Sequence, residues 1–113
     1  MDTDRKKEKL ASIIREEAAR FIEENRNSGE GTLVTVTRVE IAPDGRNAYV
    51  YVSLFPLERV GAFLAEMRHE EHEFTEYVRK NFRMKKIPSI HFTLDDTQEK
   101  REEIEKLLEE GEK

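Results

Sequence analysis

The sequence has no cysteine and no tryptophan, only five glycines and three prolines, and no long apolar run. Without cysteine there is neither a disulfide framework nor a thiolate metal site, and nothing ties the chain to an oxidising compartment. No stretch approaches the roughly 20 apolar residues that span a bilayer. The opening MDTDRKKEKL lacks the apolar segment that a secretory signal needs, so the expected location is cytoplasmic, with no membrane partner. A chain of 113 residues fits one domain and can bury about two-thirds of its unfolded surface, enough to fold without staples.

Charge, by contrast, is plentiful. The formal net charge is -5, but nine acids and four bases lie between Asp95 and Lys113, while the preceding residues balance. The excess acidity therefore belongs to the end of the chain from Asp95 onward, after a neutral body, and the expected division is a domain over residues 1–96 and an acidic tail over 97–113. Within that body Arg79, Lys80, Arg83, Lys85 and Lys86 make a basic cluster opposed only by nearby Glu76, which the whole-chain balance conceals.

Periodicity supplies the elements. Leu10, Ile13, Ile14, Ala18, Phe21 and Ile22 recur every three or four residues, which predicts an amphipathic helix over about 5–24. NRNSGEG (25–31) stops it. LVTVTRVEI (33–41) is β-branched, but Val34 and Val36 have one parity and Val39 and Ile41 the other, so a bulge is expected near Thr37 or Arg38. APDGRN (42–47) is a hairpin turn. AYVYVSLF (48–55) then alternates, with Ala48, Val50, Val52 and Leu54 against Tyr49, Tyr51, Ser53 and Phe55.

From Leu57 the period is helical again. Val60, Phe63, Leu64 and Met67 form one stripe and Phe74, Tyr77, Val78 and Phe82 another, separated by RHEEHE (68–73) without an apolar residue. Two helices meeting at a kink are expected there. IPSIHFTL (87–94) gives a third strand, and the sparse Ile104, Leu107 and Leu108 of the tail fit a short docked helix or a solvated segment. The order α-β-β-α-(kink)-α-β predicts an α+β two-layer sandwich, a three-stranded sheet with helices on one face.

HEEHEF (69–74) brings His69 and His72 to one helix face, with Glu66, Glu70 or Glu73 as a further oxygen donor to a divalent metal. The zincin spacing fails at Glu73, where its second histidine should fall, so solvated residues outweigh a metal site and no cofactor is expected. Histidines at a kink could also answer to pH. No nucleophile, base and acid assemble into a catalytic set, and Asp95-Asp96 fits a strand end and helix cap better than an acid/base pair, so the protein is not expected to be an enzyme. The basic cluster is either a phosphate-contacting stripe or a solvated helix end that offsets the macrodipole. Tyr49, Tyr51 and Phe55 are either a base-stacking platform or tyrosines tolerated on an open sheet face, and without RNP-type motifs the second fits better.

LVTVTRVEIAPDGRNAYVYVS, followed after a two-part helix by YVRKNFRMKKIPSIHFTLDD, resembles the ribosome-binding factor A family. The family pattern is matched at Thr35, Val36, Val39, Ile41, Ala42 and Asp44, then at Ala48, Val50 and Val52, then at Arg83, Met84, Lys85, Ile87, Pro88, Ile90 and Phe92, with Asp95-Asp96 where the family has an acidic pair. The resemblance implies a KH-like fold of the second type, in which an Ala-x-Gly interruption replaces the GxxG loop. Counting back from Pro88 puts that helix kink at Glu70, Glu71 and His72, where this sequence departs from the family's small residues. A glutamate there would repel a phosphate that a glycine would admit.

The resemblance further implies a non-enzymatic factor for late maturation of the small (30S) ribosomal subunit and 16S rRNA processing, and for cold adaptation. It would be a monomer that binds the free 30S subunit and its 16S rRNA near the 5′ terminal helix and decoding region, with no small-molecule substrate. The residues expected to contact RNA are Arg79, Lys80, Arg83, Lys85 and Lys86, with Arg5, Lys6, Lys7 and Lys9 of the first helix. The alternative is a protein-interaction module whose acidic tail docks a basic partner.

Overall fold

The computed structural model describes residues 2–24, 32–84, 86–95, 97 and 105–109. The chain forms helix α1 (Asp2–Glu24), strands β1 (Leu33–Ile41) and β2 (Asn47–Phe55), a 3-10 turn (Leu57–Arg59), helix α2 (Val60–Asn81) and strand β3 (Ser89–Leu94). The sheet order is β1-β2-β3, with β2 antiparallel to β1 and parallel to β3. Parallel pairing of β2 with β3 requires a crossover, and α2 provides it. The turn at 25–31 lies outside the described residues, as do Lys85, Asp96 and most of the tail; a short helical stretch at 105–109 is described.

Both helices pack on one face of the sheet. The core joins Ile14, Ala18 and Ile22 of α1, Val36 of β1, Ala48, Val50, Val52 and Leu54 of β2, Phe63, Met67, Phe74 and Val78 of α2, and Ile90 and Phe92 of β3. The expected bulge is present: the β1–β2 register shifts between Val36 and Arg38, so that Val34, Val39 and Ile41 all pack against the core. The extra residue, Thr37, donates its hydroxyl to the Asp95 carboxylate (2.6 Å) at the end of β3, with the Tyr51 carbonyl 3.2 Å from the same oxygen.

The expected kink is corrected. α2 runs unbroken through Glu70, Glu71 and His72, and the two apolar stripes are one. Met67 and Phe74 are seven residues apart, almost two full turns, so they return to the same face. The position between them is held by a carboxylate that has partners. Glu71 Oε1 accepts the Phe92 amide (3.0 Å), and Thr75 Oγ1 accepts the Ile90 amide (3.1 Å) while donating to the Glu71 carbonyl (2.9 Å).

These are amides of β3 on the side away from β2, whose own bonds use the alternate residues, as in Ser89 N–H to the Arg46 carbonyl and Asp95 N–H to that of Val52. A polar turn in mid-helix thus closes a sheet edge that would otherwise present bare donors. Glu71→Ala is expected to cost about 1–3 kcal/mol in urea unfolding, because it orphans the Phe92 amide, whereas Glu71→Gln keeps an acceptor and costs less. Equal losses in the two variants would refute this role for Glu71.

Candidate nucleic-acid interface

α2 descends β3 in the opposite direction, since Glu71 meets Phe92 and Thr75 meets Ile90. Its last turn, with Arg79 and Lys80, therefore arrives where β3 begins. That start lies beside the β1–β2 turn, through Ser89 N–H to the Arg46 carbonyl (2.9 Å). α1 reaches the same turn from its own first turns, where Lys7 Nζ donates to the Pro43 carbonyl (3.2 Å). Two basic segments more than seventy residues apart in sequence thus converge on the hairpin end of the sheet, and Arg46 in the turn joins them.

The hairpin turn itself is held by local chemistry. The Asp44 carboxylate accepts the Arg46 amide (2.9 Å), Gly45 takes φ of 73°, and the Gly45 amide bonds to the Ala42 carbonyl (2.8 Å). Arg46 carries no signal of its own as a site residue; only the pairing of β3 beside the turn places it with the others.

The cations differ in availability. Arg79 is committed to Glu76 (2.6 and 3.1 Å), a pairing that pushes the Glu76 carboxyl below its usual range and the guanidinium above its own. Lys7 is spent on the Pro43 carbonyl. Arg5, Lys6, Lys9, Arg46, Lys80, Arg83 and Lys86 are exposed or half-buried and bind no other described side chain. Lys85 lies outside the described residues.

Arg83 stands apart. It follows the end of α2 with φ of 51°, in the left-handed region, where the Met84 amide closes on the Arg79 carbonyl (3.0 Å) and that of Phe82 on Val78 (3.1 Å). Glycine is the usual occupant of this position, and an arginine there costs about 1 kcal/mol.

The histidines of HEEHEF resolve differently from one another and from His91. His69 and His72 are exposed, and among the described residues no three histidines or carboxylates stand together to hold an ion. His91, on the open sheet face, is half-buried, with Nε2 2.9 Å from Asn47 Oδ1 and Nδ1 3.4 Å from Glu71 Oε2. Asp95 is buried and caps the following turn by accepting the Thr97 amide (2.9 Å); the Thr37 hydroxyl first, then that amide, hold its carboxyl below the usual range. Between α1 and α2 the buried Glu17 accepts from the Tyr77 hydroxyl (3.1 Å), which pushes the phenol up.

An antiparallel hairpin, a crossover helix and a parallel third strand, with helices on one face only, define an α+β domain with a KH-like fold. The family model described as ribosome-binding factor A matches residues 6–108. Among curated proteins, ribosome-binding factor A of Thermomicrobium roseum is 32% identical over 101 residues, 88% of this chain and 78% of that protein.

The crystal structure of ribosome-binding factor A from Thermus thermophilus superposes with a TM-score of 0.66 at 24% identity, over 78% of this chain and 93% of that one. Coordinates of the Thermus thermophilus factor fitted into a cryo-EM map of its 30S complex superpose with a TM-score of 0.62 at 24% identity, over 75% and 90%. The chain belongs to the ribosome-binding factor A family.

Proposed function

We propose that this protein binds the free 30S subunit through the hairpin end of its sheet and assists the subunit's late maturation. The observation that carries the reading is the convergence of free cations from α1, the β1–β2 turn and the α2–β3 connection on that end. Such a cluster is an electrostatic footprint for a phosphate backbone. The fitted 30S complex of the Thermus thermophilus factor supports the choice of partner.

Lys80, Arg83 and Lys86, with Arg5, Lys6 and Lys9, contact phosphates of 16S rRNA, and Arg46 joins them. Lys85 belongs to the same set by its sequence position, while Arg79 and Lys7 support the surface through their internal bonds. The contacts lie near the 5′ terminal helix and the decoding region and assist 16S rRNA processing, and the protein acts in the cytoplasm as a monomer without catalysis. Residues 1–96 are the KH-like domain and 97–113 an acidic tail outside it. Mechanism here is differential binding: the factor stabilises one RNA arrangement of the immature subunit and leaves when maturation removes its site.

Co-sedimentation with separated small subunits, large subunits and intact ribosomes tests this. The expected result is travel with the free small subunit that weakens as salt rises. Absence from the small-subunit fraction at low salt would sink the proposal.

A further inference from the structure

The open face of the sheet carries three aromatic residues of β2 and His91 of β3. Tyr51 is occupied: the Arg38 guanidinium lies 4.0 Å from its ring centroid and its hydroxyl donates to Glu40 (3.2 Å). Phe55 is 64% exposed but pairs with Leu33 at the end of β2 far from the hairpin turn. Tyr49 and His91 are a different case. They are cross-strand partners with ring centroids 5.6 Å apart and planes inclined by 32°, and Tyr49 is 37% exposed.

Both ring nitrogens of His91 face oxygens, Nε2 that of Asn47 (2.9 Å) and Nδ1 that of Glu71 (3.4 Å). The imidazole is thereby held by its edge, and what it offers to a ligand is a π face. The Tyr49 hydroxyl bonds to no described residue. Two planar groups in fixed orientation, on an open sheet, are the arrangement on which an unpaired base stacks.

Their position identifies the occupant. Asn47 and Ala48 lie between Tyr49 and Arg46 of the hairpin turn, and residues 87–90 lie between His91 and Lys86. Three residues of strand span roughly 10 Å, so a phosphate held by the Arg46 side chain leaves a nearby base of the same RNA strand within reach of Tyr49. We infer that Tyr49 and His91 form a stacking platform for an unpaired nucleobase of single-stranded RNA whose backbone is held by the cations of the hairpin end. This rests on the RNA-binding reading above and adds a preference for unpaired over paired RNA, because a duplex keeps its base faces covered.

Binding of the full chain to an unstructured oligoribonucleotide of about a dozen nucleotides, and to a duplex of the same length, tests it. Tyr49→Thr, which suits a strand, is expected to weaken single-strand binding about tenfold. Duplex binding and the salt dependence of both should stay as in the unaltered protein, and Tyr49→Phe should bind both RNAs normally. Tyr49→Val serves the same purpose if the threonine variant fails to fold.

Single-strand affinity unchanged on removal of the ring would overturn the platform, as would a parallel loss of duplex binding. If Lys80→Glu with Arg83→Glu abolishes both RNAs while Tyr49→Thr affects neither, the platform alone is wrong. If the unaltered protein binds neither RNA, both the platform and the RNA-binding reading fall.

Discussion

Replacing Lys80 and Arg83 together by glutamate is expected to lower affinity for the small subunit by about 25- to 60-fold near 0.1 M salt. Each phosphate contact contributes a slope of about -0.7 to -0.9 to the dependence of log affinity on log salt, so at that concentration each contact is worth less than tenfold. Two lost contacts flatten the slope by about 1.4 to 1.8. Neither side chain is bonded within the described structure, so the loss is one of binding and not of folding. Joint exchange of Arg79 and Glu76 for neutral residues gives a contrasting control, since the pair carries no net charge. A titration in which the double variant keeps the parent's salt slope would remove the hairpin end as the interface.

Arg83 permits a sharper separation of the two effects. Its left-handed backbone favours glycine, and Arg83→Gly should raise stability by up to about 0.5 kcal/mol once the entropy gained by the unfolded chain is set against the relieved strain. The same change deletes a cation. A variant that melts higher and binds more weakly is the expected pattern for a residue kept at a strained position because its side chain serves a ligand.

The parts of this fold that follow one-dimensional periods were legible in the sequence. The α1 stripe, the β2 alternation and the parity slip that marks the bulge at Thr37 each reflect a local rule, and each is present. The continuity of α2 is not legible in the same way, because Glu70, Glu71 and His72 interrupt its hydrophobic stripe. The gap is filled by hydrogen bonds to Phe92, twenty-one residues away, and no window along α2 contains that partner. The same limit applies to the interface. The basic segments could be counted, but that Arg46 stands among them, and that Glu76 neutralises Arg79, depends on strand pairing and side-chain geometry.

Truncating Phe74 to alanine should cost about 3–5 kcal/mol, which is comparable to much of the stability of a domain this size. The ring is fully buried and bridges three elements: it lies 4.9 Å from Phe21 of α1 and 5.7 Å from Phe92 of β3, centroid to centroid. Beside it, the Tyr77 hydroxyl donates to Glu17 and also ties α2 to α1, so removing Phe74 takes away a large part of the described contact between the two helices. Loss should therefore begin at α1, whose amides are expected to exchange faster than those of β2. Since α1 supplies Arg5, Lys6 and Lys9 to the hairpin end, subunit binding should weaken in proportion to the fraction of molecules with α1 released. Phe74→Leu, which keeps more of the volume, should be milder in both respects. If α1 in Phe74→Ala exchanges no faster than the central strand, the helix is held by its contacts with β1, and Phe74 is an ordinary core residue.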